Sequence, residues 1–345
     1  MRHPIQNLLL SGGLQPRAPE EHLYGTSEFN MSRLVLVDGN AIVHRAYHAL
    51  PPLNKREDGQ LTNAVYGFFS MVLKIVGDIA PENLIVCFDR AAPTFRKQMY
   101  VGYQATRPKM EDDLSGQFEI IHEVLEKAKI CIFELDGYEA DDLIGTLANQ
   151  AVKEDSESQV IIVTGDRDLL QLVNHQVLIL APIVGVTKMI LFDSEKVKDK
   201  YGLEPHQFID YKALVGDSSD NYPGVAGIGP KTAADLLNKY QTLEGIYKNL
   251  GEINPKTAEK LAKDAEQSAM AKKLATIDVN APIHLKFSDC DLKKLDRKAL
   301  LEEFEELNFN SLITRFKLDK KESQPAKASR DKKKDEELKD QLNLL

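Results

Sequence analysis

Short apolar runs recur between residues 34 and 180, spaced so that a helix fits between most of them. They are Leu34 to Val37, Leu84 to Phe88, Ile130 to Phe133, Val160 to Val163 and Val177 to Leu180, each four or five residues long and built from Val, Ile, Leu, Cys and Phe. A strand with no polar alternation is buried on both faces, and such strands alternating with amphipathic helices pair in parallel through right-handed crossovers. The pattern predicts an α/β domain with a mostly parallel central sheet flanked by helices. In sheets of this kind a ligand sits beyond the carboxyl ends of the strands. Phe68, Phe69 and Met71, at helical spacing, read as core.

The pattern changes at four places. Residues 1–30 are rich in Pro, Gly and Glu and lack periodicity, which predicts a flexible N-terminal extension ahead of an α/β unit at 31–203. Within that unit, residues 90–115 turn basic and aromatic, with Arg90, Phe95, Arg96, Lys97, Tyr100, Tyr103, Arg107 and Lys109. This stretch is expected to form a mobile arch. From 204 to 318 the strand signal gives way to helices punctuated by glycine, which predicts a small helical lobe. Residues 319–345, dominated by Lys, Asp, Glu and Ser, read as a solvated tail.

Acids stand just beyond the strand ends. Asp38 follows the first run, Asp89 the second, Glu139, Asp141 and Asp142 the third, and Asp166 and Asp168 the fourth. Asp217 and Asp220 could close the ring from the helical part. Many carboxylates in one cleft cannot all stay ionised without cations, because like charges raise each other's pKa. Hard divalent ions with oxygen ligands answer that repulsion, and two of them about 4 Å apart can hydrolyse a phosphodiester. The net charge of -9 argues against a nucleic-acid partner only if the acids are spread out. Clustered around Mg²⁺ or Mn²⁺ they change sign locally.

A phosphate seat is legible further on. Gly227-Ile228-Gly229-Pro230-Lys231-Thr232 is a glycine turn into a helix, with proline placed for the first turn. Free amides and the positive end of the helix dipole suit a backbone phosphate, so Gly227, Gly229, Lys231 and Thr232 are expected to hold duplex DNA without reading its sequence. No apolar stretch approaches the roughly 18 to 20 residues that cross a bilayer, which places the chain away from membranes and in the cytoplasm. Cys87, Cys131 and Cys290 lack disulfide or metal-ligand spacing and are read as free thiols.

These motifs together resemble the 5′ to 3′ exonuclease domain of bacterial DNA polymerase I, in the flap endonuclease family of PIN-like nucleases. The likeness rests on Val37-Asp38-Gly39-Asn40, Arg45-Ala46-Tyr47-His48-Ala49, Phe88-Asp89, Thr94-Phe95-Arg96, Arg107-Pro108, Gly137-Tyr138-Glu139-Ala140-Asp141-Asp142, Thr164-Gly165-Asp166-Arg167-Asp168, and Gly216-Asp217-Ser218-Ser219-Asp220-Asn221 through Thr232. It covers residues 32 to about 318 in the family's order. It implies a PIN-like nuclease with a helical arch and a helix-hairpin-helix lobe, acting on DNA with 5′ ends, flaps or nicks in Okazaki primer removal and repair. It implies that Asp38, Asp89, Glu139 and Asp141 hold one metal, that Asp142, Asp166, Asp168, Asp217 and Asp220 hold or surround the second, and that Arg45, Tyr47, Arg96 and Arg107 steer or stack the entering strand. It also implies a potassium ion at the turn near Val225 to Ile228, and a monomer working with a polymerase, fused or separate. The chain departs from the family where Tyr103 is followed by Gln104, since the usual residue there is a lysine on the scissile phosphate.

Two other functions fit parts of the sequence. A ribonuclease of the related fold would use fewer acids and no glycine hairpin. A DNA-binding module that does not cut would use its acids only as helix caps.

Overall fold

The computed structural model describes residues 32–54, 59–186 and 188–322. The expected N-terminal extension lies outside these residues, as does the charged tail beyond 322. Six strands form one sheet: β1 (Arg33–Asp38), β2 (Asn83–Cys87), β3 (Cys131–Phe133), β4 (Gln159–Val163), β5 (Val177–Val184) and β6 (Lys188–Phe192), in the order β3-β2-β1-β4-β5-β6. The first five are parallel. They coincide with the five apolar runs, and Leu36, Ile85 and Ile162, paired across three of them, are fully buried.

β6 was not anticipated. It returns antiparallel along β5 as a hairpin, and its Met-Ile-Leu core is only half-buried at the sheet edge, so it carries a weaker signal. β1 occupies the middle of the sheet. The chain first builds outward through β2 and β3, then crosses to the other side of β1 with β4 and β5. The strand order therefore reverses between β1 and β4, and a crevice opens at their carboxyl ends.

The helices of the sheet-bearing part are α1 (Gly39–Ala49), α2 (Asn63–Ile79), α3 (Phe95–Met99), α4 (Asp112–Lys127), α5 (Ala140–Glu154) and α6 (Ser194–Tyr201). After them come α7 (Phe208–Val215), the two-residue strands β7 (Gly216–Asp217) and β8 (Tyr222–Pro223), and then α8 (Pro230–Tyr240), α9 (Leu243–Lys248), α10 (Pro255–Lys263), α11 (Ala265–Ala275), α12 (Arg297–Glu306) and α13 (Asn310–Glu322). Phe68, Phe69 and Met71 of α2 are buried, as the spacing predicts. The last two helices turn back from the lobe. Phe304 of α12 meets Phe69 of α2 edge-on at 5.5 Å, and Arg315 of α13 donates to the Ser70 hydroxyl at 2.9 Å. Residues 297–318 thus cover the back of the α/β part, although the pattern grouped them with the lobe. α13 also carries regular structure four residues into the stretch read as tail.

The cysteine reading needs correcting. Cys87 is a buried free thiol, but Cys131 on the edge strand β3 and Cys290 in a short turn form a disulfide, with Cα atoms 5.5 Å apart. That turn is held against the sheet by the Asn83 side chain, which donates to the Phe287 carbonyl at 2.6 Å. The pairing comes from chain return over 159 residues, which local spacing does not reveal.

Candidate metal and nucleic-acid site

Each strand end presents its acid through a local device. Asp38 closes β1 and caps α1, its Oδ1 accepting from the Ala41 amide at 3.0 Å while Oδ2 accepts from the Thr164 hydroxyl at 2.7 Å. Asp89 accepts from the Ala140 amide at 2.7 Å, and its own amide donates to Asn40 Oδ1 at 2.9 Å. Glu139 caps α5, with Asp141 in that helix's first turn. After β4, the Asp166 amide donates to Thr164 Oγ1, and the Asp166 side chain in turn accepts from the Asp168 amide at 2.8 Å.

The lobe supplies the remaining pair. Gly216 ends α7 with a positive φ of 74°, and a β-carbon there would lie 2.4 Å from the Gly224 nitrogen, so only glycine allows the β7–β8 turn that carries Asp217 and Asp220. A cavity of about 200 Å³ is lined by Asp38, Asp89, Glu139, Asp141, Asp166, Asp168 and Asp220. Among the described residues, Asp168, Asp217 and Asp220 come closest to a ready-made ion cage, with one oxygen from each within 4.8 Å of the others.

The donors fit hard divalent ions. All are carboxylate oxygens, and most are held away from water near like charges. Burial drives the Glu139 carboxyl up to about 7, with Asp89 and Asp142 pushing further and Arg96 opposing. Asp38 and Asp141 also rise, first from burial and then from neighbouring aspartates. Burial raises Asp168 as well, helped by Asp166 and opposed by Lys212. Such groups bind protons or cations in preference to standing bare.

Asp142 and Arg96 are placed differently from expectation. Arg96 is 2% exposed, and its guanidinium grips Asp142 through two bonds of 2.7 Å while also donating to the Leu274 and Thr276 carbonyls at 2.9 and 2.8 Å. Asp142 further accepts from the Glu139 amide at 3.1 Å and the Asp278 amide at 2.8 Å. Both Asp142 oxygens are taken by these donors, and Arg96, which lines the cavity and also lies 3.5 Å from Glu139, is committed to Asp142 and the two carbonyls in this structure. The pair ties the start of α5 to the end of α11. A cation and an acid on neighbouring motifs look the same in sequence whether they face a cleft or each other.

The first half of the expected arch is docked. Tyr103 is buried beside Tyr222, and its hydroxyl lies between two acceptors for its one proton, Glu139 at 3.0 Å and Asp220 at 3.3 Å, so it bridges carboxylates from both sides of the cleft and does not present a ring for stacking. Asn221 donates to the Gly102 carbonyl at 2.7 Å. Gln104 has a left-handed backbone, φ 56°, its amide donating to the Asp220 carbonyl at 2.8 Å and its side chain to Glu139 at 3.4 Å; turning the side-chain amide gives Arg107 an acceptor at 3.2 Å instead.

The remaining predicted contacts lie around this core. Arg107 is exposed and donates to Asp220 at 2.6 Å. Arg45 is tied to the β5–β6 turn through the Ile183 and Gly185 carbonyls, and Tyr47 donates to Glu111 at 2.6 Å. In the hairpin, Gly227 has φ 75°, Gly229 caps α8, and Lys231 is exposed beside it. A β-carbon on Gly229 would meet nothing within 4 Å, which leaves that backbone open to an approaching group. At the turn expected to hold potassium, the Gly227 carbonyl accepts from Lys260 at 3.0 Å.

Sequence reasoning missed Lys212. It lies in α7, Phe-Ile-Asp-Tyr-Lys-Ala-Leu-Val, and its ammonium sits 2.6 Å from Asp168 Oδ1 and against Asp217 Oδ2. A lone lysine in an apolar helix five residues before an acid was the available signal. Thr164 and Asn40 stand in the motifs that carry the family resemblance, but residue type alone does not show that they orient Asp38 and Asp89.

The family described as the 5′-3′ exonuclease N-terminal resolvase-like domain matches residues 33–202, and its C-terminal SAM-fold domain matches 203–298. The chain is 41% identical over 293 residues to DNA polymerase I of Bacillus subtilis, covering 85% of this chain and 33% of that protein. It spans about a third of the length of the curated relatives it matches. A 5′-exonuclease of T5 with zinc bound superposes with a TM-score of 0.58 at 20% identity, covering 84% of this chain and 98% of that one. A flap endonuclease of bacteriophage T5, in a complex with DNA and metal ions, gives a TM-score of 0.57 at 19% identity with the same coverage. These two likenesses establish the mostly parallel, PIN-like fold. No helix among the described residues is long and apolar enough to cross a membrane.

Proposed function

Because the chain belongs to the 5′-3′ exonuclease family, we propose that it hydrolyses DNA phosphodiesters at 5′ ends and 5′ flaps with two divalent ions, Mg²⁺ or Mn²⁺. The observation that carries the reading is the cavity at the strand-order reversal, walled by seven carboxylates from both the sheet and the lobe. In this reading Asp38, Asp89, Glu139 and Asp141 hold one ion, while Asp166, Asp168, Asp217 and Asp220 hold or surround the other. Ions bound there supply an activated water and neutralise charge on the attacking and leaving oxygens.

The protein's own groups position and steer. Thr164 and the Ala41 and Ala140 amides fix Asp38 and Asp89 before any substrate arrives. Arg96 and Asp142 lock the start of α5 and so aim Glu139 and Asp141. Arg107 at the rim is free to trade Asp220 for a phosphate, a charge-assisted contact that Gln104 cannot supply. The α8 turn grips the duplex backbone through the Gly229 region, Lys231 and Thr232. Lys260 already brings positive charge to that turn, so the reading needs no potassium. A division follows in which residues 31–203 carry most of the chemistry and the lobe holds duplex. We read the chain as a monomeric cytoplasmic nuclease that works beside a polymerase, either fused or separate.

The test is a gel assay of the purified chain on end-labelled 5′-flap, nicked and blunt DNA, with a matching RNA flap, in Mg²⁺, Mn²⁺ or EDTA. Cleavage of the DNA flap with either ion and none in EDTA is expected. Binding without cleavage under every condition would leave a DNA-binding module, and preference for the RNA flap would leave a ribonuclease.

A further inference from the structure

The cleft's two edges are bridged by Lys212. Its stem rises from α7 in the lobe, and its ammonium reaches Asp168 on the sheet side at 2.6 Å while also contacting Asp217 on the lobe side. The side chain is 18% exposed. The partners have few other donors on the oxygens it uses. Asp217 gives its other oxygen, Oδ1, to the Ser219 amide and hydroxyl, leaving Oδ2 for the lysine. Asp168 and Asp217 are two of the three acids whose oxygens come within 4.8 Å of one another.

We propose that Lys212 is the resident counter-cation of the outer ion position, that a second divalent ion must displace its ammonium, and that this competition sets how much ion the enzyme needs. The inference rests on the two-ion reading of the cleft. A monovalent ammonium and a divalent ion cannot share the same two oxygens without strong mutual repulsion. Arg96 shows what a permanent pair looks like here, with a rigid bidentate fork and two carbonyls besides. Lys212 has a flexible stem, a point charge and no carbonyl anchor among its described contacts. It also has somewhere to go. A cavity of about 620 Å³ is lined by Lys212, Asp168 and Asp217 on one side and by Pro230 and Lys231 at the start of α8 on the other. The withdrawn ammonium would then lie towards the phosphate seat, so ion binding would free a cation for the DNA backbone.

The test uses the full chain stripped with EDTA and titrated with Mn²⁺ in the absence of DNA, with free ion counted by electron paramagnetic resonance. The wild type should show one tighter and one weaker ion, and Lys212→Met should tighten the weaker one about tenfold or more, as loss of a competing ligand requires. An unchanged or weakened second ion in Lys212→Met would overturn the proposal. A measurement on the wild type covers the case in which that variant fails to fold. Reductive methylation read by mass spectrometry should find Lys212 protected in EDTA and reactive at saturating Mn²⁺, and equal reactivity in the two conditions would overturn the displacement. Neither readout needs turnover. Normal cleavage with unchanged ion affinities would sink this inference alone, whereas a tightened second ion in a chain that never cuts DNA would sink the nuclease reading alone.

Discussion

At the sheet edge of the cleft, Asp38 and Asp89 have amides and a hydroxyl as partners, and Asp141 lies among other aspartates. At the lobe edge, Asp217 touches Lys212 and Asp220 touches Arg107. The sheet edge is built from strand ends that cannot move apart, so its repulsion stays in place until an ion or a proton arrives. The lobe edge is built on a helix end and a short turn, and its acids meet cations on long side chains, Lys212 from α7 and Arg107 from the expected arch. One edge is therefore a site preorganised for a metal, and the other a site whose charge is provisionally satisfied. The cost of losing a carboxylate should differ accordingly between them.

The largest effect is expected at the sheet edge. Asp141→Asn removes an anionic ligand without touching a phosphate contact, so single-turnover cleavage of a 5′ flap should fall by about three orders of magnitude or more. DNA binding measured in Ca²⁺ should survive or improve. Asp217→Asn should cost less, because Lys212 is released from that acid and can still shield Asp168. Equal losses in the two variants would erase the distinction between the edges, and wild-type turnover by Asp141→Asn in Mg²⁺ would remove the sheet edge from catalysis.

Asp142 sharpens the comparison as an acid whose charge is permanently met. Asp142→Asn leaves Arg96 buried with a neutral partner, and breaking such a pair typically costs about 3 to 5 kcal/mol. The melting temperature should drop steeply, and added Mg²⁺ should not restore it. Replacing both partners by apolar residues, Arg96→Met with Asp142→Leu, should recover much of the loss. Rescue of Asp142→Asn stability by Mg²⁺ would return Asp142 to the ligand set.

How far the sequence could distinguish these cases depends on what each residue's signal encodes. Strand ends were legible because an unbroken apolar run followed by an acid has one sensible reading in a parallel sheet, and Asp38, Asp89 and Asp166 follow that rule. The capping glycines of the hairpin were legible because backbone conformation restricts residue type. Asp142 was not separable from Asp141, since adjacent positions at a helix start differ in facing by a rotation that a motif does not record. The Arg96–Asp142 pair and Lys212 were missed for the converse reason. Their roles depend on which acid lies opposite after the chain has returned over 46 and 44 residues, respectively. The Cys131–Cys290 contact and β6 were hidden in the same way, by long-range closure and by an edge position.

The two edges should also separate by pH. Glu139 titrates at about 7 in the folded chain against an ordinary 4.5, so between those values the unfolded chain loses this proton first. The stability associated with the raised groups is fully present below the ordinary value and is lost as pH rises through 7. For Glu139 alone the change is on the order of 3 kcal/mol. Asp217, held below its usual range, acts in the opposite sense and only in stronger acid. In EDTA the melting temperature should therefore fall between pH 5 and pH 8, and saturating Mg²⁺ should flatten the trend. A metal-free melting temperature that rises across that window would show that the sheet-edge acids are not strained by their charge.

The smallest effect concerns the lobe beyond the ion cleft. Lys231 is exposed at the start of α8 next to an open glycine backbone, and its expected partner is a duplex phosphate. Lys231→Ala removes one such contact, so the slope of log affinity against log salt should become shallower by about one. The loss should be similar on every duplex sequence, because phosphate contacts position DNA without reading it. The loss should appear both in Ca²⁺ and in EDTA, since Lys231 is exposed and makes its own phosphate contact, and the cleavage rate of DNA already bound should hardly change. Binding titrations of labelled nicked duplex at several salt concentrations, with and without Ca²⁺, decide the matter. A loss confined to Ca²⁺ would mean that Lys231 acts through the ion cleft, and the lobe's grip and its share of the metal site would then be a single device.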